Sequence, residues 1–370
     1  MPENPLQSNE HRLSLAVFGI NVSGGCAMTR APNTLGITWD ETRRLALAAE
    51  AAGFDALVPV ARWKGMGGQV NFNHRSWEPL TLASALAAVT ERIAIFATCH
   101  VPTVHPVRLA KEVATIDQIS GGRFCLNIVA GWNEPEMALF GAAQRPHDER
   151  YDVAEDWISL AKRLWIEPEE FDYAGPYFTC PGAYSEPKPV QQPHPLIMSA
   201  GNSPRGLEFA AGHADLNFVV APDLATAGEN ARKVREMAAK HPTRGNRPIK
   251  VFGQGYVVCR DTEAEAIAYR DKYVNELGDW DGVRNLLDVL IPNSESALGD
   301  QWESMAANMI AGYGALPLVG TPDQVVEGLQ AFADAGLDGL TLSWVDYPAG
   351  IEQFDKVLRP RLVEAGLRAF

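Results

Sequence analysis

The sequence predicts an α/β fold, a closed (β/α)8 TIM barrel of parallel strands. Three observations carry this. Eight short apolar runs alternate with longer helical patterns along the 370 residues. Each run is apolar on both faces, as strands buried beneath helices are. The turns are short and no G-x-G-x-x-G follows any run, so an open doubly wound sheet is the second choice.

The first run is residues 13–20 (LSLAVFGI). A helix follows from about Trp39, where Thr38 and Glu41 have the spacing of a capping box, and it stops at Gly53 in the C′ position. Residues 54–60 (FDALVPV) form the second strand and 78–90 the second helix. Residues 93–98 (IAIFAT) form the third strand, with a helix starting at Pro106, where proline suits the first turn. The fourth strand, 123–129 (RFCLNIV), leads to a longer helical region ending near Trp165. Residues 165–194 break the pattern with Pro, Gly and aromatic residues, and read as a hairpin or irregular excursion.

Alternation resumes with 196–200 (LIMSA), a helix from Ser203, 215–220 (DLNFVV), and a helix over 222–240. Residues 250–259 (KVFGQGYVVC) form the seventh strand, followed by a helical stretch after Thr262. The periodicity then weakens from Leu277 to Leu318. Thr321-Pro322 restarts a helix, 339–344 (GLTLSW) is the eighth strand, and a final helix runs to the C-terminus. One domain over residues 1–370 is expected. The length and irregularity of about 277–318 predict a mobile insertion or lid.

A hydrophobic fraction of 46% with 21% charged residues is that of a soluble globular chain able to bury a large core. A net charge of −14 argues against nucleic-acid binding, which needs clustered Lys and Arg, yet admits an anionic cofactor held by backbone N–H groups. The five cysteines, Cys26, Cys99, Cys125, Cys180 and Cys259, have no C-x-x-C spacing, so neither a zinc site nor a disulfide framework is expected. The segment Met1 to His11 is polar, without a secretory apolar core, and no apolar stretch reaches membrane-span length. A reduced, cytoplasmic protein without a membrane or nucleic-acid partner follows.

In a (β/α)8 barrel, function collects where the strands end. That rule selects Val58, Val60, Ala61, Arg62, Trp63 and the KGMGG loop after the second strand, and Thr98, Cys99 and His100 after the third. It selects Asn127, Gly131, Trp132 and Glu136 around the fourth, Gly201-Asn202-Ser203-Pro204 after the fifth, and Ser343 to Tyr347, including Trp344, around the eighth. The Gly201–Ser203 turn opens a helix with unpaired N–H groups, so it reads as a phosphate site or as an ordinary capped helix. Asn127, an amide on an apolar strand, is a ligand contact or a core hydrogen-bond hub. His100 and His105 lack metal-ligand spacing, and no metal is expected; His100 reads instead as an acid–base or substrate contact. Cys99 reads as a small buried hydrophobe. Trp63, Trp132 and Trp344 suit either core packing or a flat apolar pocket.

At these residues the chain resembles the bacterial-luciferase family of flavin-dependent monooxygenases, in the branch of pyrimidine, dimethylsulfone and alkanesulfonate monooxygenases. The likeness rests on 114–136 (ATIDQISGGRFCLNIVAGWNEPE), 147–165 (HDERYDVAEDWISLAKRLW), 339–354 (GLTLSWVDYPAGIEQF) and 21–25 (NVSGG), and covers nearly the whole chain. It implies FMN contacts from Ala61, Arg62, Asn127, Glu136, Arg150, Tyr151 and Ser203, the last three at or near the phosphate. It implies that Thr98, Asn127 and Trp132 line an oxygen pocket, with Val58 and Val60 beside it. Val60 replaces a bulkier methionine of the pyrimidine enzymes.

The implied chemistry is oxidation and cleavage of a small polar substrate by reduced FMN and O2, through a flavin peroxide at N5 or C4a in a dry pocket. Candidate bonds are the amide of a nitrogen heterocycle or the C–S bond of a sulfone or sulfonate. Reduced flavin would come from a separate NAD(P)H:flavin reductase, and a homodimer or homotetramer is implied. A deazaflavin-dependent dehydrogenase and a non-catalytic flavin-binding relative are the alternative readings.

Overall fold

The computed structural model describes residues 4–242, 244 and 247–369. The first three residues of the polar N-terminal segment, and Phe370 at the end of the last helical pattern, lie outside them. Eleven strands are described: β1 (Ser14–Phe18), β2 (Ala56–Val58), β3 (Ala94–His100), β4 (Phe124–Val129), β5 (Phe171–Ala174), β6 (Thr179–Ala183), β7 (Leu196–Ser199), β8 (Leu216–Phe218), β9 (Lys250–Cys259), β10 (Leu316–Gly320) and β11 (Gly339–Ser343). The sheet runs β11-β1-β2-β3-β4-β7-β8-β9, with β9 also beside β11, and so closes a parallel eight-stranded barrel. These are the eight strands expected from the sequence.

β10 was not expected. It pairs in parallel with the outer half of β9, from Leu316 opposite Gly255 to Gly320 opposite Cys259, as a ninth strand of the sheet. The residues before it are folded too, in helices Trp280–Leu290, Ser294–Leu298 and Trp302–Gly312, where the sequence pattern reads as irregular. The excursion after the fourth strand is an antiparallel hairpin, β5 with β6. Asp156 pins it to helix His147–Ile166 by accepting from the Tyr173 hydroxyl at 2.6 Å and from the Tyr177 and Phe178 N–H groups at 2.8 Å.

The chain divides into two compact units. One holds residues up to Ser8, Glu78–Phe218 and Arg232–Lys250; the other holds Asn9–Trp77, Val219–Ala231 and Val251 onward. In the first, Trp157 and Trp165 are buried and donate to the carbonyls of Val104 and Ala110, tying helix His147–Ile166 to the chain around helix Pro106–Ser120. The SGGR run acquires a physical reason here. Gly121, at φ +65°, caps helix Pro106–Ser120 in the left-handed region, and Arg123 turns inward at the foot of β4. Its guanidinium donates to carbonyls of Ala87, Thr90, Ile93 and Ser120 at 2.8–3.0 Å, closing the C-terminal end of helix Pro79–Val89.

In the second unit, Asp55 and Arg368 form a buried ion pair at 2.5 Å, and Arg368 also donates to the carbonyl of Gly53. Thr38 caps helix Trp39–Ala51 as expected, but Glu41 does not return the bond to Thr38. Its carboxylate accepts from Ile37 N–H at 2.9 Å, because Ile37 stands at φ +64° and turns its N–H toward the helix. Gly53 follows the same helix at φ +83°, in the C′ role predicted for it.

Candidate active site

In the first unit, β3 and β4 pair with Thr98 directly opposite Asn127. Both are buried, and the Asn127 Nδ2 donates to the Thr98 Oγ1 at 3.0 Å. The Asn127 Oδ1 is buried and has no partner in the protein. A buried amide oxygen left bare costs about 1–3 kcal/mol, so this atom points to a ligand rather than to a closed core hub. His100 lies two residues beyond Thr98 and, by the pleat, on the same face of β3. His105 is separate from it: its Nδ1 accepts from Val107 N–H as the cap of helix Pro106–Ser120. Cys99 is buried on the opposite face, where burial with nearby Glu78 and Glu112 pushes its thiol far above the usual range and keeps it the small buried hydrophobe that its sequence context suggests.

β7 ends at Ser199, and helix Pro204–His213 starts at the Ser203 cap, whose Oγ accepts from Gly206 N–H at 3.0 Å. Pro204 carries no N–H, so Ser203 and Arg205 present the first-turn amides that have no intrahelical partner. Space at the turn is tight. A Cβ on Gly201 would meet Gly206 Cα at 2.7 Å and the Tyr151 hydroxyl at 2.8 Å. Burial raises the Tyr151 phenol above its ordinary value, against the opposing pull of nearby Ser203 and Arg150. Neighbouring Arg150 donates to the carbonyl of Gly131, and its buried Nε has no partner in the protein. Arg205 is committed elsewhere, to Asp152, Glu155 and Glu208 at 2.8–3.3 Å. The turn can therefore take an anion, with Arg150 as the nearby cation that has a bond to give. Glu136 is fully buried on the short helix Glu134–Met137, capped by Asn133, while Trp132 beside it is half-buried.

In the second unit, Val58, Val60, Ala61 and Arg62 are buried at and after the end of β2. Arg62 Nη2 donates to the Tyr313 hydroxyl at 2.7 Å. Trp63 is 40% exposed. Trp344 packs edge-on against Phe54 and Tyr347, and a Cβ on Gly350 would strike its ring at 2.3 Å, so it fills the layer between β11 and helix Tyr347–Gln353. The KGMGG loop is a packing feature. Asn285 donates to the Met66 carbonyl, Asp279 accepts from Val70 N–H, and a Cβ on Gly68 would lie 2.4 Å from Gly282 N.

Two buried amides to which the sequence reading gave no role hold backbone at strand ends, Asn21 of the NVSGG run in the second unit and Asn217 in the first. Asn21 is fully buried; its amide donates to the Val60 carbonyl at 2.7 Å and accepts from Val60 N–H at 2.8 Å, as a strand partner would. Asn217, on β8, donates to the carbonyls of Ser199 and Gly201. Its signal was readable: like Asn127, it is a lone amide in an apolar strand.

In each unit, polar groups lie where parallel strands end, as they do in (β/α)8-barrel enzymes. The family model of luciferase-like monooxygenases matches residues 18–339, and the chain belongs to that family. It is 31% identical over 334 residues to pyrimidine monooxygenase RutA of Acinetobacter baylyi, covering 87% of each chain. It is 28% identical to the FMNH(2)-dependent dimethylsulfone monooxygenase of Pseudomonas putida, over 95% of this chain and 96% of that one. Among solved structures it resembles riboflavin lyase RcaE, crystallised with modified FMN and riboflavin, at a TM-score of 0.85 and 24% identity over 96% of this chain and 92% of that chain; this likeness speaks to fold. Among the described residues no helix is long and apolar enough to cross a membrane, and no group of three or more His, Cys, Asp or Glu could hold a metal ion.

Proposed function

We propose that this protein is an FMN-dependent monooxygenase that oxidises and cleaves a small polar substrate, taking reduced flavin from a separate NAD(P)H:flavin reductase. The observation that carries the reading is the bare, buried Asn127 Oδ1 beside Thr98 in a chain of this family. The residues fit the cofactor. Ser203 and the turn around it would take the phosphate, with Tyr151 and Arg150 alongside, and Ala61, Arg62, Glu136 and Asn127 would complete the flavin contacts. Reduced FMN, when bound, supplies the two electrons that activate O2.

The chain's own residues do the rest. The Thr98 hydroxyl and the second Nδ2 hydrogen of Asn127 would donate to O2, the bare Asn127 Oδ1 would accept an N–H or O–H of the flavin or substrate, and Trp132 keeps water away, so that reducing equivalents are not lost. His100 contacts substrate or moves a proton there, and Val58, Val60 and Trp63 shape the substrate's surroundings, while Trp344 is spent on packing helix Tyr347–Gln353 against β11. One oxygen atom enters the product and the other leaves as water. The substrates this reading favours are a nitrogen heterocycle opened at its amide bond, or a sulfone or sulfonate losing its C–S bond. A cytoplasmic homodimer or homotetramer is part of the proposal.

Anaerobic titration with reduced FMN, and separately with the reduced deazaflavin, tests it. Tighter binding of the deazaflavin would make the protein a hydride-transferring dehydrogenase. Aerobic assay of a substrate panel with a generic flavin reductase, read by mass spectrometry, then identifies the substrate. Oxygen uptake no faster than flavin auto-oxidation across that panel would mean a non-catalytic flavin binder.

A further inference from the structure

β7 pairs with β8 through Met198 opposite Leu216 and Ser199 opposite Asn217, and there the ladder stops. Beyond Ser199 the chain must leave the sheet, turn, and open helix Pro204–His213 within a few residues. The Asn217 side chain ties the end of β7 to this turn: Nδ2 donates to the Ser199 carbonyl at 3.1 Å and to the Gly201 carbonyl at 3.3 Å. Asn217 is completely buried, and its Oδ1 has no partner in the protein. Its Nδ2 is spent on two carbonyls of one turn, while its Oδ1, like that of Asn127, is left bare.

That turn is gripped from the other side as well. Gly201 and Gly206 approach so closely that a Cβ on either would meet the other's Cα at 2.7–2.8 Å, and the Tyr151 hydroxyl closes the same space. The Ser199 Oγ accepts from Gly201 N–H at 3.4 Å. What this frame fixes is the spacing of the Ser203 and Arg205 N–H groups, which are the donors a phosphate would use.

We propose that Asn217 is a positioning residue for phosphate recognition, acting on the Ser199–Ser203 turn through its Nδ2 hydrogen bonds. The inference rests on the FMN reading above, and it assigns to Asn217 the discrimination between a phosphorylated flavin and the same ring without its phosphate. Loss of the amide removes both hydrogen bonds to the turn, lets it drift, and misaligns the amide donors while the ring's surroundings stay intact.

The test is equilibrium binding of FMN and of riboflavin to the full-length apoprotein by flavin fluorescence, for the wild type, Asn217→Ala and Asn217→Ser, with Tm measured alongside. The expected result is about tenfold weaker FMN binding by Asn217→Ala with riboflavin changed by less than about twofold, and partial recovery in Asn217→Ser, whose hydroxyl keeps one donor. Equal losses for both ligands, or no loss for either, would overturn the proposal while leaving the FMN reading standing. A wild type that does not prefer FMN to riboflavin would overturn the phosphate reading itself. Should Asn217→Ala not fold, Asn217→Ser gives the same two-ligand comparison.

Discussion

The Asn127 side chain gives its N–H to the Thr98 hydroxyl across 3.0 Å and keeps its carbonyl oxygen, buried, with no protein partner. The register of β3 against β4 fixes the two residues opposite one another, so the pair is rigid before any ligand arrives. A fixed dipole at a reacting centre needs no reorganisation when charge develops there, and removing one such group costs about 100-fold in turnover. Asn127→Ala should therefore lower the substrate-coupled rate by about that factor while weakening flavin binding only about threefold. Thr98→Val, which keeps shape and removes the hydroxyl, should lose part of the same rate, and the double variant should lose less than the product of the two. Stopped-flow oxidation and coupled product yield check this; intact coupled turnover in Asn127→Ala would remove its role with oxygen.

Much of this pair was legible because a single amide on an otherwise apolar strand has to be explained. The eight barrel strands were legible for a related reason: burial on both faces leaves an apolar run that no solvent-facing pattern interrupts. β10 was not, because Leu316–Gly320 contains Pro and Gly and owes its strand state to pairing with β9, a contact distant in sequence. Helix Trp280–Leu290 carried a usable signal, an Asp279 cap before a one-faced apolar pattern, hidden by the short, irregular pieces that follow it. The packing of Trp344 against Gly350 could not be read at all, since a tryptophan at a strand end suits a pocket wall and a helix interface equally. Asn217 carried the Asn127 signal with no motif around it.

Ser203 has two duties, and its removal should show both. Its Oγ takes the Gly206 N–H as a helix cap, so Ser203→Ala should lose about 1 kcal/mol of stability in urea unfolding. Its hydroxyl also sits beside Tyr151 at the turn proposed for phosphate. FMN affinity should fall about tenfold and riboflavin affinity little, since only the former has the phosphate to lose a hydrogen bond. Calorimetric titration with each flavin separates the two; equal losses would reduce Ser203 to a cap.

The segment from Leu277 to Leu318 is folded, and its links run to residues near the proposed flavin contacts. Asn285 holds the Met66 carbonyl, and Tyr313 receives a hydrogen bond from Arg62. We propose that it retains the lid role its length suggested, with Arg62 coupling its order to flavin binding. Brief trypsin or chymotrypsin digestion should then cut this segment first in the apoprotein, and saturating FMN should slow the cut severalfold. An unchanged pattern would leave it a fixed part of the second unit.

Two histidines of the first unit make stability depend on acid. His194 is buried, and burial, with Lys162 nearby, lowers it to about 4; Arg247 opposes its charging and Asp215 favours it. His213 is stacked on Phe209 and lowered to about 3 by burial, Lys162, His241 and Arg205, with Glu155 at its edge. Both are neutral in the folded state near neutral pH, whereas the unfolded chain protonates them near the ordinary imidazole value of 6.5. Depressed folded values mean the unfolded state binds more protons below that pH, so stability is full above it and falls with acid. Between pH 6.5 and about pH 5 the loss should be roughly 2 kcal/mol per histidine, before most carboxylates begin to titrate. Urea midpoints across that window should fall for the wild type and fall less for His194→Gln and His213→Gln. A wild-type midpoint that stays level from pH 6.5 to pH 5 would mean that both imidazoles can be protonated without opening the fold.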